Sequence, residues 1–240
     1  MDSGKKTINH VEIRKILPVQ DGYRMPGEYE PHRGCILIWP ERPGSWRNGA
    51  REAKKAFADV IRAIAKSEEV YLAASGKTFS EAEKLAQRLQ TDEALYPIRV
   101  FAAETDDAWA RDVGPTFVTD GQEVRGINWE FNAWGGTEDG LYASWEKDNR
   151  FAPFFCEKEG YTWYDARPFV LEGGSVHSDG EGTVMVTESC LLSKGRNPDL
   201  TKEEITEKLK AYLGPKKCCG CPGESIWMRP TSMWTMSVHS

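Results

Sequence analysis

No stretch of the 240 residues is apolar for long enough to cross a bilayer, and residues 1–20 hold no apolar core of the kind a secretory leader needs. The sequence therefore reads as cytoplasmic, with no membrane partner. Positive charge is short as well: 31 Lys and Arg stand against 37 Asp and Glu, a net charge of −6. That balance argues against nucleic acid as the main partner and favours a cationic ligand. An evenly spaced cysteine framework is missing too. Of six cysteines, Cys35, Cys156 and Cys190 lie in or near apolar runs, while Cys218, Cys219 and Cys221 are bunched together. This excludes a secreted disulfide scaffold. Metal is not expected either: two of the bunched cysteines are adjacent, no second Cys-x-x-Cys pair exists, and His239 is distant.

What is present begins with a hydrophobic fraction of 40%, enough for a real core. Residues 1–24 are polar and aperiodic and read as a loose lead-in. Gly34-Cys-Ile-Leu-Ile-Trp39-Pro40 is a short apolar run stopped by proline, a buried strand. Residues 47–66 are helical, with Phe57, Val60, Ile61 and Ile64 on one face. Residues 70–74 form the next strand, and Ser80-Glu-Ala-Glu83 is a capping box that opens a second helix. Residues 98–101 form a third strand, completing a strand–helix alternation that gives an α/β fold. Further on, residues 114–118 and 124–131 read as strands and 132–136 as an irregular loop. Residues 169–172 and 183–187 read as paired strands beside the turn Asp179-Gly-Glu-Gly182. Thr201-Lys-Glu-Glu204 caps a helix that Gly214 stops. From 215 onward the apolar periodicity is lost.

Two stretches carry chemistry. Trp109-Ala-Arg-Asp112 and Leu171-Glu-Gly-Gly174 each set a carboxylate just past an apolar strand, next to backbone that only glycine or a tight turn allows. Brought together, Asp112 and Glu172 would grip a guanidinium through charge-assisted hydrogen bonds, with Trp109 over its face. The plainer reading makes both stretches ordinary strand-end turns. Cys35 reads as a core thiol, and His177-Ser-Asp179 as a pair on one strand face.

In order along the chain, Met25-Pro with Glu30-Pro-His32, Trp39-Pro40, Asp107-Ala-Trp-Ala-Arg-Asp-Val-Gly-Pro115 and Asn128-Trp-Glu-Phe131 with its following Trp-Gly-Gly resemble the agmatine deiminase family of guanidino-modifying (pentein) enzymes. Leu171-Glu-Gly-Gly-Ser175 with His177, Asp179-Gly-Glu-Gly-Thr183, Thr187-Glu188, Cys190-Leu-Leu192 and Arg196-Asn-Pro198 complete the set. The resemblance implies a partial pentein α/β propeller, about the first half of five ββαβ-type modules. It divides the chain into an extension (1–24), a partial deiminase domain (25–214) and an atypical tail (215–240). The implied reaction hydrolyses agmatine to N-carbamoylputrescine and ammonia through a cysteine amidino-thioester, in putrescine and polyamine synthesis. No cofactor is implied, and the resemblance leaves room for a homo-oligomer in the full-length family member. Asp112 and Glu172 match motif carboxylates at the catalytic site, and Trp109 matches a substrate-contacting aromatic. Asp106, Asp107 and Arg111 match the scaffold around them, Arg111 as an ion-pair partner. Alternatives are a peptidyl-arginine deiminase-like hydrolase, a guanidinium-binding fragment without chemistry, and a metal-binding structural protein built on Cys218–Cys221.

The family's catalytic His-Val-Asp motif and its nucleophilic cysteine are missing from their matching places, so the chain is expected to be inactive. The genetic code suggests where the first went. Met233-Trp-Thr-Met236 must be encoded ATG TGG ACN ATG. Read from one base earlier, it permits His-Val-Asp-Asn with Val-Asp forced, and residues 226–232 permit Leu-Asp-Glu-Thr-Asn-Glu ahead of it. Residues from about 215 onward are therefore expected to be a frameshifted tail.

Overall fold

A computed structural model of the chain describes residues 13–14, 16–91 and 93–222, and the backbone of 236–239. A short strand, β1 (Ile13–Arg14), precedes the alternation seen in the sequence: β2 (His32–Ile38), α1 (Arg51–Ile64), β3 (Glu69–Ala74), α2 (Phe79–Leu89) and β4 (Ile98–Ala102). β2, β3 and β4 are parallel neighbours. The apolar run of β3 is buried throughout because the strand is central in its sheet. Phe57 and Ile61 of α1 and Leu85 and Leu89 of α2 close over the sheet.

The next segment supplies α3 (Ala110–Val113), the hairpin β5 (Thr116–Thr119) and β6 (Val124–Glu130), a single turn α4 (Gly136–Asp139), α5 (Phe151–Glu159) and β7 (Trp163–Val170). β5 and β6 are antiparallel, β7 is parallel to β6, and β1 adds to the far side of β7 in parallel. A third sheet repeats the scheme. β8 (Val176–Ser178) and β9 (Thr183–Thr187) are antiparallel, and a turn α6 (Glu188–Leu191) and α7 (Lys202–Leu213) lead to β10 (Lys217–Cys221), parallel to β9. In the first sheet the antiparallel place beside β2 is taken by β11 (Met236–His239). All three sheets thus share one unit: an antiparallel pair, then a helical crossover to a parallel strand.

Several local readings change. α2 begins at Phe79, so Ser80 lies inside the helix rather than capping it; Thr78 stands at the N-cap without a side-chain bond. The stretches 169–172 and 183–187 do not pair, because β9 pairs with β8 and β10 instead. Residues 16–24 are not a loose lead-in. Tyr23 is buried, and Asp21 accepts hydrogen bonds from Arg14, Arg125 and Tyr164. Residues 217–221, within the stretch that lacks apolar periodicity, form a strand. α5 was unread because Pro153 interrupts its pattern; proline is tolerated in a first turn, and Phe151 and Phe155 pack on Phe101. The box at Thr201 is as read: Thr201 Oγ1 accepts from Glu204 N and Glu204 Oε2 from Thr201 N, and Gly214 ends α7 in the left-handed region. The possible motif at 226–236 lies outside the described residues, save for the backbone of 236.

Candidate active site

The segments after β4 and β7 meet. Asp112, on the short turn α3, accepts the backbone N–H of Gly174 at 2.9 Å. Arg111, beside it, donates from Nε to the Gly173 carbonyl at 3.0 Å and ion-pairs with Glu28. The contact depends on glycine: a Cβ on Gly173 would lie 2.1 Å from the Arg111 carbonyl oxygen. The sequence thus joins its two carboxylate stretches directly, at the C-terminal ends of parallel strands, where open α/β sheets place their ligands.

Both acids are buried, Asp112 at 8% exposure and Glu172 at 2%. Burial pushes the Asp112 carboxyl up to about 7; the Gly174 N–H holds it down, the Glu172 charge raises it, and Arg111 lowers it. Glu172 accepts from Arg196 Nε at 2.8 Å through Oε1, while Oε2 is buried with no hydrogen-bond partner. Such an orphaned carboxylate oxygen costs free energy unless something else satisfies it. Arg196 was legible only as part of the Arg196-Asn-Pro198 motif. Its segment is held by Asn197, which spans the Val170 and Leu191 carbonyls.

An aromatic wall stands beside the acids. Trp109 stacks on Trp46 at 5.8 Å and meets Trp134 edge-on at 5.3 Å. Trp134 packs against Phe131 and Tyr142. Its buried indole N–H forms no well-aligned hydrogen bond, yet it acts as a donor toward the Asp112 carboxyl and lowers it. Ala133 and Trp134 both have positive φ, 55° and 66°, an unfavourable backbone that recurs at functional sites. Asn132 ties this loop to the Gly195 carbonyl at 2.7 Å, next to Arg196. Trp46 and Trp134 were missed as wall residues because their neighbours in space are remote in sequence.

Asp107 accepts the indole N–H groups of Trp46 and Trp109 at 2.7 and 2.8 Å, the Ser45 hydroxyl and the Ala108 N–H. Asp148, behind it, accepts the Asp106 and Asp107 N–H groups and the Tyr142 hydroxyl; burial pushes its carboxyl up to about 7.

His177 and Asp179 are not a strand-face pair. Asp179 closes the β8–β9 turn by accepting from Glu181 and Thr183 N–H. Burial and nearby Arg111 lower the His177 imidazole below its ordinary range, with Glu28 opposing. Cys35 is inside β2 and Cys156 inside α5, both buried, and burial raises the Cys156 and Cys218 thiols, which disfavours thiolate. Among the described residues, no group of three or more His, Cys, Asp or Glu is arranged to hold a metal ion, and no helix is long and apolar enough to cross a membrane.

Residues 24–231 match the model of the Porphyromonas-type peptidyl-arginine deiminase family. A putative agmatine deiminase of Listeria monocytogenes is 50% identical over 216 residues, covering 90% of this chain and 54% of the relative. One from Selenomonas ruminantium is 50% identical over 211 residues, 88% of this chain and 56% of the relative. The solved agmatine deiminase of Enterococcus faecalis superposes with a TM-score of 0.80 at 44% identity, over 88% of this chain and 56% of that one. The chain spans about half the length of the relatives it matches. It belongs to the Porphyromonas-type peptidyl-arginine deiminase family.

Proposed function

We propose that this chain carries the guanidinium-anchoring part of an agmatine deiminase site, built on the first modules of a pentein propeller. The carrying observation is the pair of buried carboxylates, Asp112 and Glu172, whose hydrogen-bonding capacity is incompletely used beside a tryptophan wall. A guanidinium is planar, cationic and rich in N–H donors, so it satisfies those acids and lies against an aromatic face in one step. Asp112 must be ionised to hold it, and the ligand's own charge offsets the burial that raises this carboxyl.

In the complete reaction a cysteine thiolate attacks the guanidinium carbon, ammonia leaves, and water displaces the sulfur to give N-carbamoylputrescine, a step toward putrescine. That thiolate and the histidine that moves its protons are proposed to lie outside this half-site. The 240-residue chain is therefore proposed to bind agmatine without turning it over, as a soluble cytoplasmic polypeptide. Residues from about 215 onward are proposed to read in a shifted frame. Codons that do not spell His-Val-Asp in that frame would remove this part of the proposal.

Calorimetry with agmatine, run beside an ammonia assay, tests the functional reading. Saturable binding without ammonia release is expected. Absence of binding refutes the half-site, and sustained ammonia release refutes the inactivity. Tighter binding of a peptidyl-arginine than of agmatine would move the substrate class to the former.

A further inference from the structure

The tryptophans of the aromatic wall are not held by packing alone. Trp46 and Trp109 come from different segments, yet both indole N–H groups end on one carboxylate, a bond to each oxygen of Asp107. The Ser45 hydroxyl and Ala108 N–H fill the remaining acceptor sites. Asp107 is itself only 3% exposed, and its backbone N–H is fixed by Asp148, which is fully buried and also takes the Tyr142 hydroxyl. Tyr142 in turn packs edge-on against Trp134. Each ring of the wall is thus tied, directly or through one neighbour, to this pair of acids. A carboxylate with four donors fixes two indole planes far more sharply than apolar contact does, because hydrogen bonds are directional and dispersion is not.

We propose that Asp107 is a positioning residue that locks the Trp46–Trp109 stack as a flat wall and so lets the site select a planar guanidinium over an ammonium ion of similar length. The selection rests on the function proposed above; the hold on the tryptophans does not. A flat cation gains from lying along an ordered ring, whereas an ammonium is served nearly as well by the acids alone. Asn at this position offers one good acceptor where Asp offers two, so at least one indole loses its bond.

Two readouts test this separately. In the wild-type chain, indole N–H exchange followed by NMR, with resonances assigned from Trp46→Phe and Trp109→Phe, should be slow at both tryptophans. It should accelerate by at least about tenfold at one or both in Asp107→Asn. Fast exchange in the wild type, or unchanged exchange in the variant, overturns the positioning role; the wild-type measurement decides even if the variant does not fold. Calorimetry with agmatine and with 1,5-diaminopentane then tests selection. Asp107→Asn should weaken agmatine about tenfold and leave the diamine nearly unchanged. Equal weakening of both ligands, or of neither, overturns the selection. A wild-type chain that binds neither ligand refutes the proposed function, while the exchange data still decide what Asp107 holds.

Discussion

Asp107 and Asp112 lie on one short segment and are almost equally buried, but their surroundings are opposite. Asp107 accepts four hydrogen bonds, and Asp148 behind it accepts three. Asp112 has the N–H of Gly174 and only the poorly aligned indole N–H of Trp134 besides, and Glu172 has Arg196 on one oxygen and no hydrogen-bond partner on the other. Burying a carboxylate is costly, and a protein that only needed structure would complete the bonding as it does at Asp107. Under the proposed function, the difference separates acids that hold the fold from acids held ready for a ligand.

That contrast predicts opposite signs for similar substitutions. The largest effect is expected from Asp107→Ala, which leaves two indole N–H groups, a hydroxyl and a backbone N–H without their acceptor. At about 1–3 kcal/mol for each group that stays buried and unpaired, a loss of roughly 3–5 kcal/mol is expected in urea unfolding. A loss below about 1 kcal/mol would mean that Asp107 does not carry the structure.

Asp112→Asn should do the reverse. Agmatine binding should fall by about a hundredfold, since a charge-assisted contact is removed, while stability rises. The sign follows from protonation. In the folded chain burial pushes the Asp112 carboxyl up to about 7, well above the ordinary aspartate value of 3.8 that holds in the unfolded chain. Between those values the unfolded chain binds fewer protons, so folding stability declines as pH rises from about 4 to about 7 and stays lower above. Above pH 7 the variant should therefore exceed the wild type by an amount on the order of a few kcal/mol, and little difference should remain at pH 4. Thermal melts across this range check it; a variant less stable than wild type at pH 8 would place Asp112 with the structural acids.

The smallest effect is a control outside both groups. Thr201→Ala removes the reciprocal cap of α7 and should cost about 1 kcal/mol in urea unfolding with no change in agmatine affinity.

How much of this was visible in the sequence follows the same division. β2, α1, β3 and β4 were legible because each buries a periodic or continuous apolar face, and α7 because its cap and its Gly214 stop are local chemistry. The two stretches that hold Asp112 and Glu172 were legible because glycine and strand ends flag such turns, and they meet in the fold. What stayed hidden is non-local. Nothing near Glu172 announces that Arg196 will pair with it, and nothing near Trp109 announces that Trp46 will stack on it. The pairing of β9 with β8 rather than β7 was hidden too, since apolar strands look alike until a sheet assigns their neighbours. Ser80 misled because a capping box is a local pattern, whereas α2 begins one residue earlier, where the Ser75 carbonyl accepts the Phe79 N–H.

Most directly, carboxyl-carbon NMR can follow the titration of Asp112 in the purified chain, with and without saturating agmatine, using Asp112→Asn to assign the signal. A midpoint near 7 in the free chain that falls by at least about one unit when agmatine binds is the expected result, since a cation against the carboxylate favours its ionised form. A midpoint near the ordinary aspartate value of 3.8, or a midpoint that agmatine leaves unmoved, would contradict the assignment of Asp112 as the unsatisfied anchor.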